Sequence, residues 1–422
     1  MPATELQRSI DAVWRIESAR IVAAVARIVR DVGLAEELAQ DALVSALEHW
    51  PTEGLPRNPA AWLMATAKNK ALDRIRQAAL HRRKQEELGA DVDALGEHVA
   101  PNPLDALEDE DDIGDDLLRL IFTACHPVLT REAQVALTLK LLAGLSTAEI
   151  ARAFLQGEPT IAQRIVRAKR TLADAKVPFE VPRGEELQER LAAVLEVIYL
   201  IFNEGYSATA GDDWMRPALC EEAMRLARIL VQLVPEQREA HGLIALLELQ
   251  ASRLRARTDA EGRPILLMDQ DRARWDWLLI GRGLAALNEA RKLPGTAGPY
   301  ELQAEIAAGH GRARTAAQTD WHAIVRAYDA LAELMPSPVI ELNRAVAISR
   351  ADGAAAALPL VDALVAGGAL ESYHLLPAVR GDLLEKLGRR SEARAEFEKA
   401  AALAQNQRER TLMHQRARAT LD

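Results

Sequence analysis

The residues best placed to do chemistry lie between Leu145 and Leu172, in the run LSTAEIARAFLQGEPTIAQRIVRAKRTL. At about 100° per residue, Ile161, Ile165, Ala168 and Leu172 share one arc of a helix, while Thr160, Gln163, Arg164, Arg167, Arg170 and Thr171 gather on the other side. That polar face suits the major groove of duplex DNA, where Arg bonds guanine edges, Gln bonds adenine, and Arg or Thr holds phosphate. A shorter helix precedes it. Ser146 is a good N-cap, Glu149 three residues on completes a capping box, and Gly157 and Pro159 punctuate the turn between the two helices. The spacing predicts a DNA-reading helix-turn-helix; a hairpin whose basic side is merely solvated is the alternative.

A second helix, from about Ala60 to Lys84, combines an aromatic with amides and cations. Met64, Ala67, Ala71, Leu72, Ile75, Ala78 and Ala79 form its apolar arc, and Asn69, Lys70, Asp73, Arg74, Arg76 and Gln77 face outward, with Trp62 and Thr66 beside them. Such a surface can stack unpaired bases while holding their phosphates. Trp62 has two readings, a stacking platform or an indole folded back onto the preceding helices.

These two helices need modules to carry them. Residues 10–85 read as a helical module, with periodic apolar positions at Ile21, Val25, Ile28 and Val29 and again at Leu38, Ala42, Leu43, Ala46 and Leu47. Gly33 is expected to close the first helix, and the loop Trp50 to Ala60 to end the second. Residues 86–116 hold 13 acidic and no basic side chains, with Gly89, Gly96, Pro101 and Pro103, and read as an acidic linker. Residues 117–178 form the second module. After Pro178, Pro182 and Gly184 comes a helical extension, 184–422, whose end places Leu387, Gly388, Ala393, Phe397 and Ala400 at tetratricopeptide-repeat spacing. The run from Trp321 to Pro338 is a weaker echo. The predicted fold class is therefore all-α: two small helical domains, the second with a helix-turn-helix, followed by a helical-repeat, TPR-like domain.

Composition narrows the function. A chain of 422 residues suggests about three domains. The net charge of −10 would argue against nucleic acid, yet residues 1–85 carry 13 basic against 10 acidic side chains and residues 117–183 carry 10 against 5. The acidity is concentrated in the linker and the extension. No apolar run reaches a membrane-spanning length and no signal core opens the chain, so a cytoplasmic protein is expected. Cys125 and Cys220 are the two cysteines, too few for a disulfide framework or a cysteine-rich zinc site. The nine His are scattered and no Gly-rich phosphate loop occurs, so neither catalysis, nor a cofactor, nor a metal is expected.

Taken together, LAQDALVSALEHWP, AAWLMATAKNKALDRIR and GLSTAEIARAFLQGEPTIAQRIVRAKRTL resemble, in that order, three segments of the extracytoplasmic-function (ECF) sigma factors of bacterial RNA polymerase. These are the polymerase-clamp helix, the −10 melting helix and the −35-reading helix-turn-helix. The resemblance covers about residues 10–178. It implies a factor that binds core RNA polymerase through the β′ clamp and directs initiation at promoter DNA, with Glu37, Gln40 and Asp41 as clamp contacts. Trp62, Thr66, Asn69, Lys70, Arg74 and Arg76 would take the −10 strand, the loop from Trp50 to Pro59 joining Asn69 at the flipped base. Thr160, Gln163, Arg164, Arg167, Arg170 and Thr171 would take the −35 element. The acidic linker, in the absence of polymerase, is expected to shield a basic face of its own protein and weaken DNA binding.

Family members commonly stop near the helix-turn-helix, and this chain does not. Its tail, with YLIFNEGYSA and LLMDQDRARWDW, resembles the subgroup with a TPR-like extension, which is typically found beside small DGPF/YCII-like proteins. Asn203, Glu204, Asp269, Asp271, Arg272, Trp275 and Asp276 are the candidate surface for a partner, or for an intramolecular contact between the extension and the sigma domains. The same residues also read as helix caps and core aromatics. The alternative function is a polymerase-independent helix-turn-helix regulator joined to a protein-interaction scaffold.

Overall fold

The computed structural model describes residues 3–89, 112–154, 156–206, 215–259, 263, 265–368, 370–404 and 407–420. Among them every regular element is helical. The chain divides into two compact units, residues 1–197 and 198–422.

The first unit opens with α1 (Ala3–Val29), α2 (Val32–Glu53) and α3 (Pro59–Gly89), which pack on one another. Ile21, Val25, Ala35, Ala39, Ala46, Trp50, Leu63, Ala67 and Ala71 are buried among them. The break between α1 and α2 is not made by Gly33. Arg30 turns the chain with a positive φ of 54°, Asp31 caps α2 by accepting from the Leu34 amide at 2.9 Å, and Gly33 lies inside α2. The second helix also runs past Trp50. Pro51 sits in its last turn, and Gly54, with φ 88°, stops it. Asn58 then starts α3, its side chain accepting from the Ala61 amide at 3.1 Å.

The second module holds α4 (Asp112–Ala124), α5 (Arg131–Leu141), α6 (Thr147–Ala153) and α7 (Glu158–Asp174). Helices thus reach into both ends of the expected linker, through residue 89 and from residue 112; its middle, 90–111, lies outside the described residues. The helix-turn-helix forms as its local signals require. Ser146 and Glu149 make the reciprocal capping box, and Gly157 caps α7 with Pro159 in its first turn. Ile161, Ile165, Ala168 and Leu172 are all buried.

The helix α8 (Glu185–Tyr206) contains the boundary between the units. Its first turns belong to the first unit, where Arg190 donates to the Phe122 carbonyl at 2.9 Å and Glu196 pairs with Arg131.

The second unit continues with α9 (Pro217–Leu233), α10 (Arg238–Ala251), α11 (Trp277–Lys292), α12 (Pro299–Gly311), α13 (Trp321–Leu334), α14 (Pro338–Ala351), α15 (Ala354–Gly367), α16 (Leu375–Lys386), α17 (Arg390–Leu403) and α18 (Gln407–Ala419). α10 packs on both α11 and α12, and from α13 onward each helix packs mainly on its neighbours in sequence, the arrangement expected of a repeat protein. Among the described residues one apolar cluster forms around Ala245, Leu249, Trp275, Ile280 and Ala304, and a second around Leu342, Val361, Leu383, Phe397 and Ala400. The repeat-spaced residues Ala393, Phe397 and Ala400 are all within the second. Close crossing depends on small residues: a Cβ on Gly381 would stand 2.8 Å from the Phe397 ring, so α16 and α17 require glycine there.

Candidate nucleic-acid interface

The α7 helix presents its polar side to solvent. Thr160, Gln163, Arg167 and Arg170 are exposed, and Arg164 and Thr171 are half-buried at the edges of the face. The rigid apolar stripe beneath fixes the rotation of the helix, so the exposed side chains project as one row. Among the described residues Arg170 is tied to Asp174, at 3.4 Å with both side chains exposed, a pair too weak to withhold it from a phosphate. Val166 stands in the same row at 63% exposure. It was not among the expected residues, which were chosen for polarity; its place on the α7 wheel was the signal for it.

In α3, Trp62, Thr66, Asn69, Asp73 and Arg76 recur at helical spacing along one stripe. Asn69, Arg74 and Arg76 are exposed, and Trp62, Thr66 and Lys70 half-buried. Arg74 lies off the axis of the stripe, while Arg76 is held to Asp73 at 3.3 Å. The two readings of Trp62 combine: its ring meets Trp50 edge-on at 5.3 Å between centroids and leans towards His49 at 6.4 Å, leaving the indole half-exposed. Trp50 itself is fully buried beneath it. Two expected members of the apolar arc shift: Ala78 is exposed and Met64 only half-buried, while Leu63 takes the core position.

On α2, Glu37, Gln40 and Asp41 are exposed together, with Val44 continuing the same face at 50% exposure. Next to them stands a residue that sequence reasoning missed. Glu36 is buried, 6% exposed, and is held by Lys169 of α7, by Lys140 of α5 at 3.5 Å and by the Gln40 side-chain amide at 2.8 Å. Its position in the stripe Val32, Ala35, Glu36, Ala39 was the available signal, an acid in core phase. Asp116 of α4 is equally buried, between Arg27 of α1 at 3.3 Å and Arg119 at 2.6 Å.

The candidate surface of the extension comes apart. Asp271 and Asp276 cap a short 3₁₀ turn and α11, accepting from the Ala273 amide and from the Leu278 and Leu279 amides. Glu204 pairs with Arg216. Arg272 and Trp275 are buried, and this overturns their expected place on a surface. The Arg272 guanidinium donates to the carbonyls of His310 and Ala313 and to the Thr319 hydroxyl, and lies 4.7 Å from the Trp275 ring. Burial and the neighbouring cation Arg253 hold its pKa below the ordinary guanidinium value. Asp269 is exposed and Asn203 half-buried. Beside this staple, burial and the cations Arg253 and Arg272 push the His310 imidazole down to about 3.

Among the described residues no helix is long and apolar enough to cross a membrane, and no group of three or more His, Cys, Asp or Glu is placed to hold a metal ion.

Comparison with known proteins finds three family matches along the chain. Residues 15–80 match sigma-70 region 2, residues 119–172 match sigma-70 region 4, and residues 190–291 match DUF6596, a family of unknown function. The ECF RNA polymerase sigma factor SigK of Mycobacterium ulcerans is 29% identical over 158 residues, 36% of this chain and 78% of that one. The probable ECF RNA polymerase sigma factor SigI of Mycobacterium tuberculosis is 27% identical over 174 residues, 41% of this chain and 57% of that one. An uncharacterized protein of Rhizobium meliloti is 46% identical over 384 residues and shares the extension, covering 91% of this chain and 89% of its own length. Yeast Tom70 aligns over 99% of the chain and 86% of its own at 12% identity, with a TM-score of 0.30, below the level at which a common fold follows.

Regions 2 and 4, in this order and on these helices, define a protein of the sigma-70 class. The chain belongs to the ECF sigma factors, in the form that carries a C-terminal DUF6596 helical extension. Sigma factor function follows from the two regions, with RNA polymerase and promoter DNA as binding partners; the family is not enzymatic.

Proposed function

We propose that α2 docks on the β′ clamp of core polymerase through Glu37, Gln40 and Asp41, that the α3 stripe captures the melted −10 strand, and that the α7 row reads the −35 element. The observation that carries this reading is the row on α7: Gln163, Arg167 and Arg170 stand exposed on a helix whose opposite side is locked into a core. Donor groups fixed in direction are what base reading in a groove demands. The α3 stripe supports the second half, since Asn69 is exposed two turns along the same face from a half-exposed indole that a splayed base can stack upon. The extension regulates this activity or docks a partner, a small DGPF/YCII-like protein being the kind its subgroup suggests.

The test is a pull-down with core polymerase followed by run-off transcription with full-length and truncated protein. Truncation belongs after Val197 rather than at Pro182, because Arg190 and Glu196 hold the first turns of α8 to the first unit. Promoter-specific transcripts are expected from the full chain and a changed output from the truncated one. Duplex binding without any polymerase-dependent transcription would instead identify a polymerase-independent regulator.

A further inference from the structure

The first unit contains a cavity of about 630 Å³, lined by the junction of α1 and α2, by α4, by the last turns of α7 and by the chain that follows it to Glu180. Its size lies within the range of about 300–1,000 Å³ usual for small-molecule sites. Cations dominate the wall: Arg27, Arg30, Arg119, Lys169 and Lys176 stand against Asp31 and Glu180. Acids behind the wall do not cancel them. Asp116 holds Arg27 and Arg119, and Glu36 holds Lys169 together with Lys140, so six cations meet four acids. Asp31 also has one oxygen committed to the Leu34 amide.

Arg30 and Lys176 carry the surplus. Both are exposed, and among the described residues neither forms an ion pair. Among the same residues they are also the two non-glycine positions with a left-handed backbone, at φ 54° and 50°. Each closes a helix, the Arg30 amide donating to the Ala26 carbonyl at 2.8 Å and the Lys176 amide to the Ala173 carbonyl at 3.0 Å. Glycine is the usual residue for such a turn. The helix dipole favours a cation at this end, but a cation in the last turn would serve it with ordinary backbone. Side chains held on left-handed backbone gather at ligand clamps, and here both line one cavity.

The remaining wall suits a flat ring. Past Lys176 the Val177 amide returns to the Leu172 carbonyl at 3.1 Å, and the chain doubles back to set the half-buried Phe179 beside the apolar Leu172 and Val177. Duplex DNA is not the occupant this geometry favours. At about 100° per residue, Lys169 and Leu172 lie on the side of α7 opposite the row of Gln163, Arg167 and Arg170, so a duplex on that row leaves the cavity uncovered. We propose that the cavity binds a small phosphorylated molecule with a flat ring, a nucleotide bearing two or three phosphates. Arg30 and Lys176 take the phosphates, and Phe179 stacks on the base. Guanidinium forks match pairs of phosphate oxygens, and an ammonium adds a point charge. Arg27, Arg119 and Lys169, tied to buried acids, are already oriented when the ligand arrives.

Calorimetric titration of the full-length protein with ATP, with GTP and with inorganic triphosphate tests the site. At least one nucleotide should bind with a Kd of about 100 µM or lower, and about fivefold or more tighter than triphosphate, the gain that a stacked base supplies. Weaker binding of both nucleotides overturns the site. Equal binding of triphosphate overturns its assignment to a ligand with a ring. On the wild-type chain, saturating duplex DNA should leave the nucleotide bound; displacement overturns the proposal and gives the cavity cations to the DNA backbone.

The double variant Arg30→Gly/Lys176→Gly separates a ligand role from a structural one. Glycine takes both left-handed positions without strain, so the variant should fold and melt close to the wild type while its nucleotide affinity falls by about tenfold or more. Unchanged affinity overturns the proposal. Phe179→Leu keeps the wall apolar and should bring the nucleotide down to the level of triphosphate, whose own binding stays as it was. A nucleotide still held at wild-type affinity by this variant overturns the stacking on Phe179.

Discussion

Arginine serves opposite ends in the two units. On α7 of the first unit Arg167 and Arg170 stand in solvent, Arg170 with a weak exposed partner in Asp174. In the second unit Arg272 is enclosed and directs its N–H groups at carbonyls of its own chain, while Arg238 grips Glu301 through two bonds and the Leu293 carbonyl through a third. The same fork of donors that reads a guanine edge or a phosphate in one place fastens a loop to a helix in the other. Polar composition alone therefore says little about binding. What separates the two uses is whether the chain supplies its own acceptors.

This contrast breaks most visibly at Arg272. An Arg272→Met change leaves two buried carbonyls and a hydroxyl without their donor, and should cost about 3 kcal/mol or more of stability in the second unit. Denaturant unfolding measures it, and binding of a −35 duplex should stay at the wild-type level. On the other side of the comparison, Arg164→Ala should weaken −35 recognition by about 1 to 3 kcal/mol while leaving the melting temperature in place. A titration with matched and mismatched duplexes separates a base contact, which loses specificity, from a phosphate contact, which loses affinity uniformly.

Acid sharpens the contrast further. His310 has its pKa pushed down to about 3 in the folded chain against an ordinary value of 6.5, so the unfolded chain binds the extra proton first. Stability of the second unit is therefore complete above pH 6.5 and lost progressively as pH falls towards 3, by about 1.5 kcal/mol at pH 5.5. Unfolding curves at pH 7.5 and 5.5 should differ by that amount, and His310→Gln should flatten the difference. Smallest in equilibrium terms is Asn69→Ala: duplex affinity should hold, whereas permanganate reactivity of the melted −10 thymines should drop.

The helix-turn-helix was legible in the chain because its determinants are local. Ser146 and Glu149 are three residues apart, and Ile161, Ile165, Ala168 and Leu172 repeat within one helix; each behaves in the structure as its spacing requires. The break at Arg30 was misplaced because a glycine seemed the natural stop, although Asp31 offers a cap that starts the next helix one residue later. Pro51 was read as a terminator, but in the last turn of α2 it disrupts little of the helix beyond it. The roles of Glu36 and Arg272 were hidden for a different reason. Their partners, Lys169 and the His310 carbonyl, belong to helices remote in sequence, and no periodicity within one segment reports such a meeting. Arg272 and Trp275 of the candidate extension surface proved buried for the same reason, and Asp271 and Asp276 act as caps, since caps and surface ligands use the same residue types.

Glu36 also restricts how this sequence can drift. One carboxylate serves two lysines on different helices, so reversing its charge would set three cations against each other in a buried place, and reversing one lysine would leave two acids facing. Exchange of these charges in a single step is closed. A lineage could pass only through neutral residues at all three positions, so Glu36, Lys140 and Lys169 should change together or not at all wherever the two modules pack in this way.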